Sequence, residues 1–194
     1  MKDGFIKVAA GTPDVQVADC EFNADKIIEM AKEMEEQGAK VMVFPELCIT
    51  GYTCGDLFWQ ETLLEEAKVQ LIRIAEATED IDALIFVGLP LEYNSKLYNV
   101  AAGLSHGEIL GFVPKIHIPN YNEFYEARYF TSGEKVDGTV TIRKEVPETE
   151  FDSDKFAGIL VNGKVIEFGF DDDTDEYEDE DGYEDEDEDF EEED

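Results

Sequence analysis

Apolar residues change their spacing along the first part of the chain, and this predicts alternating strands and helices. A short apolar run over residues 5–11 predicts a strand. Apolar side chains then recur at helical spacing up to Gly38, and Asn23 is the expected N-cap of that helix. A continuous apolar run over 40–44 is typical of a strand buried on both faces. The spacing over 61–77 predicts a second helix with one apolar stripe.

A strand-rich pattern follows these two helices. Residues 83–89 predict another buried strand, and the runs 98–104 and 108–113 predict a hairpin that turns at 105–107. The order strand–helix–strand–helix–strand predicts an α/β fold in which helices cover a mostly β core. Such folds bind ligands beyond the carboxyl ends of their strands.

The pattern weakens towards the C-terminal end but does not vanish. Residues 139–142 show β-branched alternation. The apolar runs 156–161 and 164–168 flank Asn162-Gly163, and this dipeptide is a strong signal for a two-residue hairpin turn. We therefore expect further short strands before the composition changes at about residue 170.

Negative charge divides the 194-residue chain into two unequal parts. The net charge is −34, and 19 of the 24 residues over 171–194 are acidic, with no basic residue among them. This leaves −15 for residues 1–170, which is compatible with one folded domain. We expect 171–194 to be a disordered acidic tail, because few apolar residues and dense like charge disfavour folding. Such an excess of negative charge argues against nucleic acid and anionic membranes as partners.

Targeting and cofactor motifs are missing from the chain. No signal peptide or apolar run of ~20 residues occurs, and an odd number of cysteines suggests reduced thiols in a cytoplasmic protein. The spacings of Cys48 and Cys54, and of His106 and His117, match no common metal site. The glycine-rich phosphate-binding motifs are also absent, so we expect no metal and no cofactor in this chain.

Two charged side chains follow predicted strands. Glu46 follows the run 40–44 after Pro45, and Lys115 follows the run 108–113 after Pro114. A carboxylate and an ammonium suit a site that activates a thiol, because a thiol must lose its proton before it attacks. The ammonium would then stabilise a developing oxyanion. None of the three cysteines follows Lys115, and Cys48 is more typical of a loop or core position than of a nucleophile.

Five stretches of residues 1 to about 133 resemble the carbon–nitrogen hydrolase (nitrilase) superfamily. More narrowly, they resemble the N-terminal glutaminase domain of bacterial glutamine-dependent NAD synthetases. The order and spacing of the stretches carry the resemblance, since each is short. They are FPELCITGY at 44–52, CGDLF at 54–58, LYNVA at 97–101, KIHIPNY at 115–121 and EFYEARYF at 123–130.

This resemblance implies a fold and a mechanism. The fold would be part of a four-layer α–β–β–α sandwich. Glu46 matches the general base of a Glu-Lys-Cys amidase, Lys115 matches the cation that stabilises the oxyanion, and Glu126 matches a second glutamate beside the lysine. Tyr52 and Tyr121 match residues that shape the pocket for glutamine, the family substrate. Homologous sandwiches often assemble into oligomers, so a homo-oligomer is also implied.

The chain departs from the family where the nucleophile is expected. The family cysteine follows a later buried strand, and the corresponding region near 165–172 contains no cysteine. The resemblance fades beyond Ser132, and the ATP-dependent synthetase domain that would amidate deamido-NAD is absent. ATP and magnesium are implied only for that domain. The chain is therefore interpreted as an incomplete glutaminase domain, inactive as written; the alternative is a non-catalytic interaction protein with an acidic tail.

The candidate residues also have plain structural interpretations. A glutamate at a strand end is usually a solvated rim residue, and an isolated lysine such as Lys115 lies on the surface by default. Glu126 could pair locally with Arg128 or face solvent on a helix. His117 is more typical of a structural residue than of a catalytic one. These alternatives make the geometry of Glu46, Lys115 and Glu126 the decisive observation, and we expect their side-chain tips to share one hydrogen-bond network.

Overall fold

A five-stranded sheet organises the computed structural model, which describes residues 4–136, 138–140, 142, 158–161 and 164–167. The strands pair in chain order. The first three run parallel, and the last three form two antiparallel hairpins, so the predicted α/β class is confirmed. The bounds are β1 Val8–Ala10, β2 Val41–Val43, β3 Leu84–Tyr93, β4 Lys96–Ser105 and β5 Glu108–Pro114.

Helix α1 (Cys20–Glu36) begins earlier than the sequence predicts. Its N-cap is Asp19, whose carboxylate accepts a hydrogen bond from the backbone N–H of Phe22 at 3.0 Å. The predicted N-cap, Asn23, was wrong, because this residue lies fully buried inside the first turn. The predicted end at Gly38 is confirmed: Gly38 has a φ of +82° and directly follows the C-cap residue of the helix.

Helix α2 (Glu61–Ala77) has the predicted bounds and buries the predicted stripe. The two helices pack together, and their apolar faces form the core with the sheet residues Met42, Ile85, Val87 and Leu89. Burial of these faces supplies the main driving force for the fold. Neither helix in the described part of the chain combines the length and the apolar character needed to cross a bilayer.

Two tight turns connect the antiparallel strands. His106 and Gly107 have φ values of +51° and +82°, which places the predicted hairpin turn where expected. Asn94 and Ser95 form a second such turn, with φ values of +49° and +56°, between β3 and β4. This turn was not predicted, and β3 ends four residues beyond the predicted 83–89 segment.

Among the described residues, helices cover one face of the sheet only. Residues of the opposite face in different strands leave their side chains exposed: Val8 at 63%, Val43 at 45% and Val113 at 57%. The register places these valines on one face, since Val43 pairs with Ala10 and Val113 pairs with Ala101. The described residues therefore contain one α and one β layer of the implied four-layer sandwich.

A separate hairpin joins β6 (Gly158–Val161) to β7 (Lys164–Glu167). Val161 pairs with Lys164, which confirms the predicted two-residue connection. Thr139, Val140 and Ile142 belong to no strand, and the remaining residue of the alternation over 139–142 lies outside the described residues. The domain boundary near residue 170 and the acidic tail lie outside the described residues and stay predictions.

Candidate functional site

Glu46 lies in a tight loop directly after β2. The loop is held by backbone hydrogen bonds, such as the one from the N–H of Gly51 to the carbonyl of Leu47 at 2.7 Å. Leu47 has a φ of +52°, a left-handed conformation that a non-glycine residue adopts only where the surroundings enforce it. This constrained loop presents the Glu46 carboxylate with 41% of its side chain exposed.

Gly88 in β3 permits the close approach of this loop. A Cβ atom at Gly88 would lie 2.4 Å from the backbone nitrogen of Leu47 and 2.8 Å from the carbonyl oxygen of Pro45. The loop continues along the same strand, because the N–H of Ile49 donates to the Gly88 carbonyl at 3.1 Å. The position of Glu46 is thus set by backbone contacts that only glycine allows.

Lys115 follows β5 and reaches both predicted carboxylates. Its Nζ lies 2.7 Å from Oε1 of Glu46, 3.0 Å from Oε1 of Glu126 and 2.9 Å from Oε2 of Glu126. Two backbone contacts fix its base: the N–H donates to the Asn99 carbonyl at 2.8 Å, and the carbonyl accepts from Gly133 at 2.9 Å. The predicted convergence of Glu46, Lys115 and Glu126 is confirmed.

Glu126 is the buried carboxylate of the cluster. It lies in a short 3₁₀ turn, Glu126–Arg128, and its side chain is 6% exposed. The hydroxyl of Tyr52 donates to its Oε1 at 2.6 Å, in addition to the two contacts from Lys115. The local pairing with Arg128 does not form, because the Arg128 guanidinium binds the carboxylate of Asp56 instead.

The electrostatics of the cluster favour a charged lysine. Burial by itself lowers the pKa of Lys115, but the hydrogen bonds and negative charges of Glu126 and Glu46 outweigh burial and raise it. Burial, together with the hydrogen bond to Glu126, also raises the pKa of Tyr52. Tyr52 therefore keeps its proton and remains a donor to Glu126 over the physiological range.

Asn99 is a member of the cluster that the sequence did not reveal. Its side-chain amide donates to Oε1 of Glu46 from within β4, and the residue is 3% exposed. The signal was a polar residue inside an apolar strand, in the stretch 97–101. A buried amide needs a hydrogen-bond partner, and Glu46 is that partner.

None of the three cysteine thiols has a described hydrogen bond with the cluster. Cys48 exchanges weak hydrogen bonds with the backbone of Gly88, and Cys54 donates to the carbonyl of Thr50 at 3.1 Å. Burial raises the pKa of Cys48 to about 11 and that of Cys20 to about 12, so both thiols stay protonated and unreactive. The expectation that Cys48 and Cys54 are loop or core residues agrees with their burial.

The remaining candidates are exposed. Tyr121 is 63% exposed and packs edge-to-face on Phe124, without a described contact to the charged cluster. His117 is also exposed. The described residues hold no group of three or more acidic, histidine or cysteine side chains arranged for a metal ion. The cluster thus consists of the Lys115 ammonium, the two carboxylates of Glu46 and Glu126, the Tyr52 phenol and the Asn99 amide.

This arrangement suits acyl transfer. A half-exposed carboxylate can accept a proton from an approaching nucleophile, and the adjacent ammonium can stabilise an oxyanion. Glu126 differs from Glu46 because both its oxygens are occupied and its side chain is almost fully buried. Glu126 is thus suited to hold Lys115, and Glu46 to exchange a proton.

Comparisons with known proteins show which family the chain resembles. The model of the carbon-nitrogen hydrolase family matches residues 7–150. The glutamine-dependent NAD(+) synthetase of Mycobacterium leprae is 36% identical over 139 residues, a match that covers 72% of this chain and 20% of the synthetase. This chain therefore spans about a fifth of the length of that relative.

Solved structures show the same likeness. A glutamine-dependent NAD(+) synthetase from Cytophaga hutchinsonii superposes with a TM-score of 0.64 at 26% identity, over 84% of this chain and 25% of that one. An amidase of the nitrilase superfamily from Nesterenkonia sp. AN1, solved as a cysteine-to-alanine variant with butyramide, gives a TM-score of 0.57 at 25% identity. That match covers 67% of this chain and 49% of the amidase.

Proposed function

The chain belongs to the carbon–nitrogen hydrolase family, and on that premise we propose that Glu46, Lys115 and Glu126 are the base and cation part of a site that hydrolyses the amide of glutamine. The observation that carries the proposal is the Lys115 ammonium, which binds Glu46 on one side and Glu126 on the other. The similarity to glutamine-dependent NAD synthetases supports glutamine as the substrate.

The cluster would act in two steps. Glu46 takes the proton of a thiol, and the thiolate adds to the amide carbon while Lys115 stabilises the resulting oxyanion. Glu46 then returns the proton to the departing nitrogen, ammonia leaves, and a thioester remains. Water hydrolyses this thioester to glutamate and restores the thiol. Glu126 and Tyr52 hold the ammonium in place throughout. Tyr121 is proposed to line the pocket for glutamine.

We propose that the thiol comes from outside residues 1–194. All three cysteines precede Lys115 in the chain, and all three are buried. None of them has a described hydrogen bond with the cluster. In a complete synthetase of this kind, the released ammonia would pass to an ATP-dependent domain that amidates deamido-NAD. This chain would supply the base and the cation, but not the nucleophile.

A second candidate function is a non-catalytic interaction protein. The missing thiol and the 19 acidic residues over 171–194 favour it, because the tail would attract basic surfaces in a salt-sensitive way. The two functions differ in what they require of the cluster. Catalysis requires Glu46 and Lys115, whereas tail-mediated binding does not.

Purified chain is expected to release no ammonia from glutamine above background, because no thiol can form the acyl intermediate. Loss of a nucleophile from such a set typically removes several orders of magnitude of rate. A coupled glutamate or ammonia assay measures this, with Cys48→Ala and Cys54→Ala variants as controls. Turnover that either substitution abolishes would show that the nucleophile is one of these cysteines.

A further inference from the structure

We propose that Asn99 is a positioning residue that fixes the orientation of the Glu46 carboxylate and thereby decides which oxygen faces the nucleophile. The role in catalysis rests on the function proposed above, but the positioning itself is a property of this chain. Asn99 lies in β4, next to the point where β5 delivers Lys115. No contact with substrate is implied.

Asn99 holds both members of the Glu46–Lys115 pair. Its backbone carbonyl accepts from the N–H of Lys115 at 2.8 Å, and its side-chain Nδ2 donates to Oε1 of Glu46. The residue is 3% exposed, so its rotamer is fixed by the surrounding sheet. Glu46 lies in a loop, whereas Asn99 lies in strand β4, which is paired on both sides. The strand residue therefore sets the orientation of the loop residue.

The two oxygens of Glu46 have different surroundings. Oε1 accepts hydrogen bonds from both Asn99 and Lys115. Among the described residues, none donates a hydrogen bond to Oε2. Since Oε1 is occupied by two donors, we assign proton exchange with the thiol to Oε2. Without the amide of Asn99, the carboxylate could rotate, and Lys115 would lose its fixed contact with Oε1.

The same structure gives a readout that does not depend on activity. Glu46 helps to keep Lys115 protonated, so a displaced Glu46 lowers the pKa of Lys115 and exposes more free amine at about pH 9. Acetic anhydride labels only the free amine, and mass spectrometry can compare Lys115 with Lys40 in the same sample. Lys40 serves as an internal standard, because it pairs with Asp82 in the loop before β3.

Asn99→Leu keeps the branching and the number of heavy atoms of the side chain and removes its donors. We expect labelling of Lys115 to rise by up to about tenfold, because a lower pKa leaves more of the lysine as free amine. In a Glu46→Gln background, the same substitution should add no further increase. This difference between the backgrounds is the coupling that a positioning role requires.

Asn99→Ser provides a second variant if the leucine variant does not fold, because serine is small and polar but too short to reach Glu46. Gln70→Leu is the matched control: Gln70 is a buried polar residue on α2 that bonds Glu66 and Arg73. Equal increases in both Glu46 backgrounds, or no increase in either, would overturn the proposal. Failure of glutamine hydrolysis would leave this result unaffected, so the two proposals fail separately.

Discussion

Two carboxylates of unequal exposure keep Lys115 protonated. Glu126 is buried and accepts from Tyr52 and Lys115, whereas Glu46 is half exposed and accepts from Asn99 and Lys115. Removal of the ammonium would leave Glu126 buried without a cation, which is costly. The cluster is therefore expected to contribute to stability as well as to chemistry.

Lys115→Met is expected to destabilise the fold by about 2 kcal/mol near neutral pH, a value reduced from that of a fully buried pair because Lys115 is partly exposed. The pKa of Lys115 is raised in the folded state, so its stabilising contribution is fully present below the unfolded value of about 10.5 and is lost as the pH rises through the folded value. Urea unfolding of both proteins near pH 7 and at about pH 11 measures this difference.

The difference in free energy of unfolding between wild type and Lys115→Met should therefore be smaller at the higher pH. Lys40→Met is the matched control, because Lys40 and its partner Asp82 are largely exposed and such a pair contributes ~0–1 kcal/mol. A gap of the same size at both pH values would argue against a raised pKa for Lys115.

Gly88→Ala is expected to destabilise the chain by about 1–3 kcal/mol, because the new Cβ would overlap the backbone of Leu47 and push the Glu46 loop away from β3. Gly103→Ala in the neighbouring strand is the control, since a Cβ there would lie 3.4 Å from a ring atom of Phe86. Denaturant midpoints measure both. Equal losses for the two variants would show that the loop does not depend on Gly88.

At the level of elements, the start of α1 connects the fold to the site. The Asn23 side chain accepts from the N–H of Gln16 at 2.7 Å and donates to the carbonyls of Gln16 at 2.8 Å and Ile49 at 2.9 Å. Ile49 belongs to the loop that carries Glu46. A residue of the helix thus joins two loops, instead of capping the helix as the sequence pattern indicated.

Asn23→Ala is expected to cost about 2 kcal/mol or more, because it leaves the buried carbonyl of Ile49 and the partly buried backbone groups of Gln16 without partners. Asp19→Ala should cost about 1 kcal/mol, the usual value for loss of an N-cap. Thermal unfolding, converted to free energy, ranks the two. If Asp19→Ala left the free energy of unfolding unchanged and Asn23→Ala lowered it by only about 1 kcal/mol, the result would indicate that Asn23 is the N-cap.

The sequence predicted elements best where one local pattern decides the structure. The stripe of α2 and the turn at Gly107 depend on nearby residues, and both were predicted correctly. Asn23 was misassigned because its partners lie seven and 26 residues away in the chain. Asn99 was missed for the same reason, since Glu46 is 53 residues distant. The convergence of Glu46 and Lys115 was predictable because both follow apolar strands whose ends share one edge in this architecture, and the resemblance placed Glu126 beside the lysine.

At the level of the molecule, the cluster adjoins the sheet face that no described helix covers. Asn99 lies two residues before Ala101, which pairs with the exposed Val113, so these positions share one face of the sheet. A thiol supplied from outside the described residues could therefore approach Glu46 on this side.

The net charge of −15 on residues 1–170 and the acidic residues over 171–194 do not oppose an amide substrate such as glutamine, whose side chain is neutral.

A chimeric enzyme tests the catalytic assignment most directly. The segment of the Mycobacterium leprae synthetase that matches this chain is exchanged for residues 7–136, so that the remaining part of the relative supplies the thiol implied by the resemblance. Circular dichroism and gel filtration verify folding, and glutamate release from glutamine is measured. We predict hydrolysis above background, reduced by about a thousandfold or more in Glu46→Gln and Lys115→Met and unchanged in Lys40→Met. A folded chimera that is inactive, or whose activity survives the loss of Glu46 and Lys115, would contradict the assignment.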